Sequence, residues 1–178
     1  MPYSRPVGGR SGRPRGPLTE AFRHAMDGIC HALLTERNMK IHFVSGGLVF
    51  LWCLAVRPTA GRALCAVAAV YGVIAAELVN TAVERVTDLA AGGRMRALAG
   101  IAKDVAAGAA LMVSLAAVAV GIYLGVVCYP WRWRLFSGLH PLGAAESLWG
   151  LAGLCFLALR SFVHRRRLGW DDGEGVSS

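Results

Sequence analysis

Between Ala63 and Asp88 the chain runs apolar as far as Ala76 and then, in the segment ELVNTAVERVTD, sets Glu77, Asn80, Glu84 and Asp88 within twelve residues. Charge at the end of such an apolar run is costly beside a bilayer unless it is paired or put to use. At about 100° per residue these four side chains share an arc of roughly 80° on a helix, with Thr81 at its edge. Leu78, Val79, Ala82, Val83, Val86 and Leu89 occupy the other side. One face is therefore suited to lipid or neighbouring helices and the other to holding oxygen ligands. The stretch predicts a transmembrane helix whose end carries a polar site.

The rest of the composition agrees. The 178 residues are 55% hydrophobic and 17% charged, with a mean hydropathy of +0.48, which points to an all-α integral membrane protein rather than a soluble domain. The formal net charge of +8 is accompanied by no zinc spacing and no RNA-binding motif, so nucleic acid is excluded as a partner and membrane topology accounts for the arginines. Cys30, Cys53, Cys65, Cys128 and Cys155 are scattered singly with no C-x-x-C pair and read as small reduced hydrophobes. MPYSRPVGGR has no apolar core of a signal sequence, so no cleavable signal peptide is expected.

Taken in order, residues 1–18 read as a disordered basic tail rich in Pro, Gly and Arg. Thr19 is placed to cap an amphipathic surface helix in which Phe22, Met26, Ile29 and Leu33 recur on one side. A polar cluster, Glu36, Asn38, Lys40 and His42, leads into a first span over Ile41–Val56, short for a bilayer. Arg57 and Pro58 end it. Ala63–Asp88 forms the second span, a Gly-containing basic loop around Arg94 to Lys103 follows, and Val105–Tyr129 forms the third. After the turn YPWRWR, residues 142–163 predict a fourth, C-terminal span within a segment 130–167, and residues 168–178 an acidic tail. Basic residues concentrate on one side of this four-span arrangement, which predicts cytoplasmic termini in a bacterial inner membrane. Trp131, Trp133 and Trp149 fit an interfacial belt, and Glu146 is expected to snorkel to water.

Carboxylates, an amide, a lysine and a basic loop at one membrane depth are the parts needed to hold Mg²⁺ and a polyphosphate, with a further carboxylate to accept a hydroxyl proton. No G-x-x-x-x-G-K-[ST] loop, G-x-G-x-x-G loop or kinase H-R-D and D-F-G pair occurs, so a nucleotide site has to be built from membrane helices. A cation or proton pathway is the competing use of such a stripe, though no internal repeat of the transporter kind is present. A scaffold with charges paired across helices is the third reading. His42 reads as an interfacial histidine, and Arg85, about 80° from Glu77, as a partner for Asp88, a headgroup or a phosphate.

Glu77-Leu-Val-Asn80-Thr-Ala-Val-Glu84-x-x-x-Asp88, followed by Lys103-Asp104 and preceded by Glu36-x-Asn38-x-x-Ile41-His42, resembles the prokaryotic diacylglycerol kinase and undecaprenol kinase family over about residues 20–128. The resemblance implies a homotrimer of small membrane subunits, each with a surface helix and three spans, whose shared active sites transfer the γ-phosphate of ATP to a lipid alcohol with Mg²⁺. It implies Glu77 as the catalytic base, Glu36 and Glu84 as magnesium ligands, and Asn80 and Lys103 as phosphate contacts supported by Asp104. His24 on the surface helix would border the nucleotide. Two departures stand out: Thr87 where the family signature usually has Val, and the fourth span beyond the usual three. The Glu36-x-Asn38-x-x-Ile41-His42 and Asn80-Thr-Ala-Val-Glu84 variants look more like the undecaprenol kinase branch, with diacylglycerol as the alternative acceptor.

Overall fold

The computed structural model describes residues 18–92, 97–134 and 137–167. The expected tails, residues 1–17 of the first and 168–178 of the second, lie outside these residues, as do Arg94 and its neighbours in the basic loop. Helix α1 spans Leu18–Thr35, α2 Arg37–Val56, α3 Ala60–Ala91, α4 Ala97–Val127 and α5 Pro141–Arg167. The fold is an all-α integral membrane fold: α2 to α5 are each long and apolar enough to cross a bilayer. Helices satisfy their own backbone hydrogen bonds, which lipid cannot do.

Helix α1 begins at Leu18, so Thr19 lies within its first turn rather than before it. Met26, Cys30 and Ala32 are buried against the bundle while Phe22 is exposed. Only Glu36 separates α1 from α2. Its backbone is extended (φ −88°, ψ 126°), and its N–H still donates to Ala32 O at 2.9 Å. Helix α2 then starts at Arg37, four residues before the expected span. Hydropathy marks where lipid contact begins, whereas the helix includes its polar end. The 20 residues of α2 span about 30 Å, a full hydrocarbon thickness.

Arg57 closes α2 in the left-handed conformation (φ 58°, ψ 62°), donating its N–H to Cys53 O at 2.9 Å, and Pro58 prevents continuation. The 32 residues of α3 extend about 48 Å, so this helix outruns the hydrocarbon layer. Gly92 (φ 57°) ends it in the manner usual for glycine. Helix α4 returns antiparallel along α3, with Gly72 facing Val113 and Lys103 reaching Asp88.

The fourth span expected over residues 142–163 is α5, and it is seated inside the bundle. Gly143 lies against Pro58 O, Gly150 against the Phe50 ring and Gly153 against the Tyr71 hydroxyl. Tyr71 Oη donates to Gly150 O at 3.0 Å. The main core accordingly joins Ala32 of α1, Met39 and Phe50 of α2, Val70 and Ile74 of α3, and Leu154 of α5. A smaller cluster brings Leu124 of α4 against Cys53 and Ala66. Asp27 and Arg160 tie α1 to α5 at 3.6 Å. Glu146 departs from expectation. It is half-buried, and its Oε2 is closed off from solvent without a hydrogen-bond partner, because the helix turns this position toward the bundle.

Candidate active site

The polar face of α3 descends from buried to exposed. Glu77, Asn80 and Thr81 are 6%, 8% and 8% exposed, Glu84 is half-buried, and Asp88 stands in the open. At the buried end, His42 of α2 places Nε2 3.2 Å from Glu77 Oε1. One turn on, Asn80 Nδ2 donates to Glu84 Oε1 at 3.0 Å, the i,i+4 spacing that lets two side chains meet on one helix. That bond fixes the amide orientation and leaves Asn80 Oδ1 buried without a partner.

Two ion pairs bring other helices to this face. Arg85 Nη2 donates to Glu36 Oε1 at 2.9 Å, and Thr35 Oγ1 donates to the same oxygen at 3.2 Å. Glu36 occupies the break between α1 and α2, so its carboxylate is offered sideways to α3 instead of lying along a helix surface. On the other side, Lys103 Nζ of α4 donates to Asp88 Oδ1. The polar residues expected from sequence thus gather about one face, with Glu77, Asn80 and Glu84 on α3, Lys103 on α4 and Glu36 at the break. Asp104 is exposed on α4. His24 lies on α1 with Nε2 3.8 Å from Glu20.

Two residues take roles that sequence did not give them. Arg85 binds Glu36 and not Asp88, because its position about 80° around α3 from Glu77 turns it toward the break, while Asp88 points to α4. No local periodicity marks a pair 49 residues apart. His42, read as an interfacial histidine, contacts the buried carboxylate of Glu77. Its nearness to Glu36 in sequence and its place at the head of a span were the available signals.

Electrostatically the site favours a cation. Among the described residues Glu36 and Asp88 have Arg or Lys partners, whereas Glu77 meets a histidine and Glu84 an amide. No group of three His, Cys, Asp or Glu side chains converges as a ready metal cage among the described residues. Mg²⁺ does not need one, since it commonly takes one or two carboxylates and completes its shell with water and phosphate oxygens. The orphaned Asn80 Oδ1 tests this fit. An acceptor oxygen suits a cation or a metal-bound water, which has a proton to give. A phosphate oxygen would have to be met by Nδ2 instead. The donor set therefore fits hydrated Mg²⁺.

Beyond His42 an apolar groove opens among α2, α3 and α4. A cavity of about 270 Å³ begins at His42 and Ser45 and runs past Val70 and Ser114. It shares Val49, Val118, Gly121 and Leu124 with a larger cavity of about 900 Å³ that reaches Trp131.

Comparison with known proteins covers this same region. The family model described as prokaryotic diacylglycerol kinase matches residues 23–124, from the first turns of α1 through most of α4. A diacylglycerol kinase of Synechocystis sp. is 40% identical over 111 residues, covering 58% of this chain and 59% of the relative. The chain thus spans less than two thirds of that relative's length. No solved structure matches. Glu36, His42, Glu77, Asn80, Glu84, Arg85, Asp88 and Lys103 all fall inside the matched residues, and α5 lies wholly outside them. With more than half its length matched, the chain belongs to the prokaryotic diacylglycerol kinase family.

Proposed function

We propose that this multi-pass membrane protein is a lipid kinase that transfers the γ-phosphate of ATP to the hydroxyl of a membrane-embedded lipid alcohol. The observation that carries the reading is the buried Glu77 carboxylate in contact with His42 at the mouth of an apolar groove, beside a cation-seeking set of oxygens. A lipid whose chain lies in the groove from His42 toward Trp131 would bring its hydroxyl to the depth of Glu77.

In this reading Glu77 takes the hydroxyl proton on a carboxylate oxygen while the hydroxyl oxygen bonds to the γ-phosphorus and the bond from that phosphorus to the ADP oxygen breaks. His42, 3.2 Å away, orients the receiving carboxylate. Glu36 and Glu84 would hold Mg²⁺, with Asn80 Oδ1 on its water shell, and MgATP supplies the phosphoryl group and the charge neutralisation that phosphoryl transfer depends on. Lys103 would turn from Asp88 to the phosphates, Asp104 would support it, and His24 would border the nucleotide on the α1 side. Arg85, paired with Glu36 at 2.9 Å, would offer its charge to phosphate oxygens beside that carboxylate.

The acceptor has two readings. The motif variants around Glu36 and Asn80 favour undecaprenol, and the name of the Synechocystis relative favours diacylglycerol at least as strongly. A homotrimer with shared sites and cytoplasmic termini in a bacterial inner membrane complete the proposal, the topology supported by the basic residues at Lys103 and His164–Arg167. The test is labelled-phosphate transfer from ATP in mixed micelles with Mg²⁺, comparing the two lipids. Glu77→Gln should lower the rate about 10²- to 10⁴-fold, the usual weight of a general base, with the fold retained. Preference for undecaprenol or for diacylglycerol assigns the branch. No transfer to any lipid alcohol by folded protein sinks the kinase reading, and cation flux in liposomes would replace it.

A further inference from the structure

At the end of the bundle opposite the polar face, a polar cavity of about 160 Å³ lies between the α2–α3 turn, the end of α4 and the start of α5. Arg57, Arg62, Arg132, Arg134 and His140 line it, together with Thr59, and no carboxylate does. Along α3 the distance from Arg62 to Glu84 is about 33 Å, a hydrocarbon thickness, so this cavity and the candidate active site face opposite membrane surfaces.

Several independent features make the cavity a built one. Arg134 N–H donates to Ala55 O at 2.8 Å, pinning the strap after α4 against α2. Trp131 Nε1 donates to Gly125 O at 2.8 Å, and its ring meets Trp52 edge-on at 6.3 Å. Gly143 against Pro58 O locks α5 to the α2–α3 turn. Arg57 (φ 58°) and His140 (φ 48°) are the non-glycine residues with positive φ among the described residues, and both line this cavity. Thr59, the residue before α3, makes no side-chain cap, so the first-turn N–H groups of α3 add their positive end to the arginines.

The guanidinium groups of Arg62, Arg132 and Arg134 stay charged at any physiological pH, and no carboxylate lines the cavity beside them. Glu146, on the same helix as the cavity's α5 edge, is not among the lining residues. The volume equals about five waters at the liquid share of ~30 Å³ each, room for one phosphate group and little more. Planar guanidinium forks match phosphate oxygens two at a time.

We propose that this cavity is a binding site for a phosphate group, separate from the candidate kinase site and on the other face of the membrane. The group is carried either by an anionic lipid headgroup or by a soluble phosphate. The experiment uses the full chain in maltoside micelles, which contain no phosphate. Inorganic phosphate is titrated by equilibrium dialysis in one arm, and phosphatidylglycerol is added and counted by native mass spectrometry in the other. Saturable binding is expected in at least one arm. It should weaken tenfold or more in R132Q/R134Q and in R62Q, stay nearer the native value in R132K/R134K, and stay unchanged in R23Q, which removes an exposed charge from α1. Helical circular dichroism and elution volume check each variant. Binding of phosphatidylglycerol alone assigns the headgroup, and binding of inorganic phosphate assigns the soluble source. No saturable binding by folded protein in either arm, or equal binding by native protein and by folded R62Q and R132Q/R134Q, overturns the proposal.

Discussion

Helices α4 and α5 are both apolar spans, yet they relate to the molecule in opposite ways. The family match includes most of α4, but only 11% of its most apolar stretch is buried, against 28% for α5, which the match omits. Helix α4 lies along α3 with Leu111, Met112, Leu115 and Ile122 turned outward. Helix α5 interlocks with α1, α2 and α3 through glycines seated against Pro58, Phe50 and Tyr71. The span carrying Lys103 is thus the barest, while the span outside the family match closes the core. Of these two spans α5 is the one that supports the bundle, whereas α3 carries both core residues, Val70 and Ile74, and the polar face.

Matched substitutions test that division, and the largest effect should come from core leucines. Leu154→Ala on α5, at a side chain only 2% exposed, should cost about 2–5 kcal/mol by cavity formation, read as thermal unfolding in detergent. Leu115→Ala on α4, 55% exposed, should change stability by less than about 0.5 kcal/mol. An equal loss at both would break the comparison for the single chain. If it appeared together with subunit dissociation, it would mean that a second copy covers α4.

The next effect is overpacking. A Cβ at Gly150 would lie 2.5 Å from Phe50 Cζ, and Phe50 is fully buried with no room to retreat. Gly150→Ala should therefore destabilise by about 1–3 kcal/mol, measured by chemical or thermal unfolding. Gly121→Ala on α4 meets nothing within 4 Å and should be neutral or slightly stabilising, since alanine is the better helix former. The smallest effect concerns the surface ion pairs. Arg160→Ala, which removes the partner of Asp27, should cost about 0.2–1 kcal/mol and less at high salt. Lys103→Ala should cost no more in stability while lowering phosphate transfer sharply. A large stability loss at Lys103 would assign it to the bundle and not to the site.

Much of the site was legible because its signal is local. Glu77, Asn80, Glu84 and Asp88 share a helix face by spacing alone, and that face holds in the structure. What sequence could not supply is what meets the face. The Glu36–Arg85 pair and the His42–Glu77 contact join residues far apart in the chain, and opposite charge has many possible partners until the helices are placed. The start of α2 was missed for a different reason: Arg37 to Lys40 are polar, so hydropathy excluded them although the backbone continues as helix. For α5 a signal existed. Gly143, Gly150 and Gly153 fall within about 80° on one face, the small-residue stripe that permits close approach of membrane helices, and it would have marked α5 as a core element.

The break at Glu36 makes α1 a lever. One residue, with its two rotatable backbone angles, joins an arm of 18 residues, about 27 Å long, to a rigid span. The carboxylate offered to Arg85 sits at the fulcrum. A tilt of roughly 10° in α1 displaces its far end by about 5 Å and reorients Glu36 in the same movement. Met26, Cys30 and Ala32 buried in the bundle and Asp27 paired with Arg160 of α5 resist such a tilt, so the packing of α1 against α5 also keeps in place the carboxylate proposed to hold the metal.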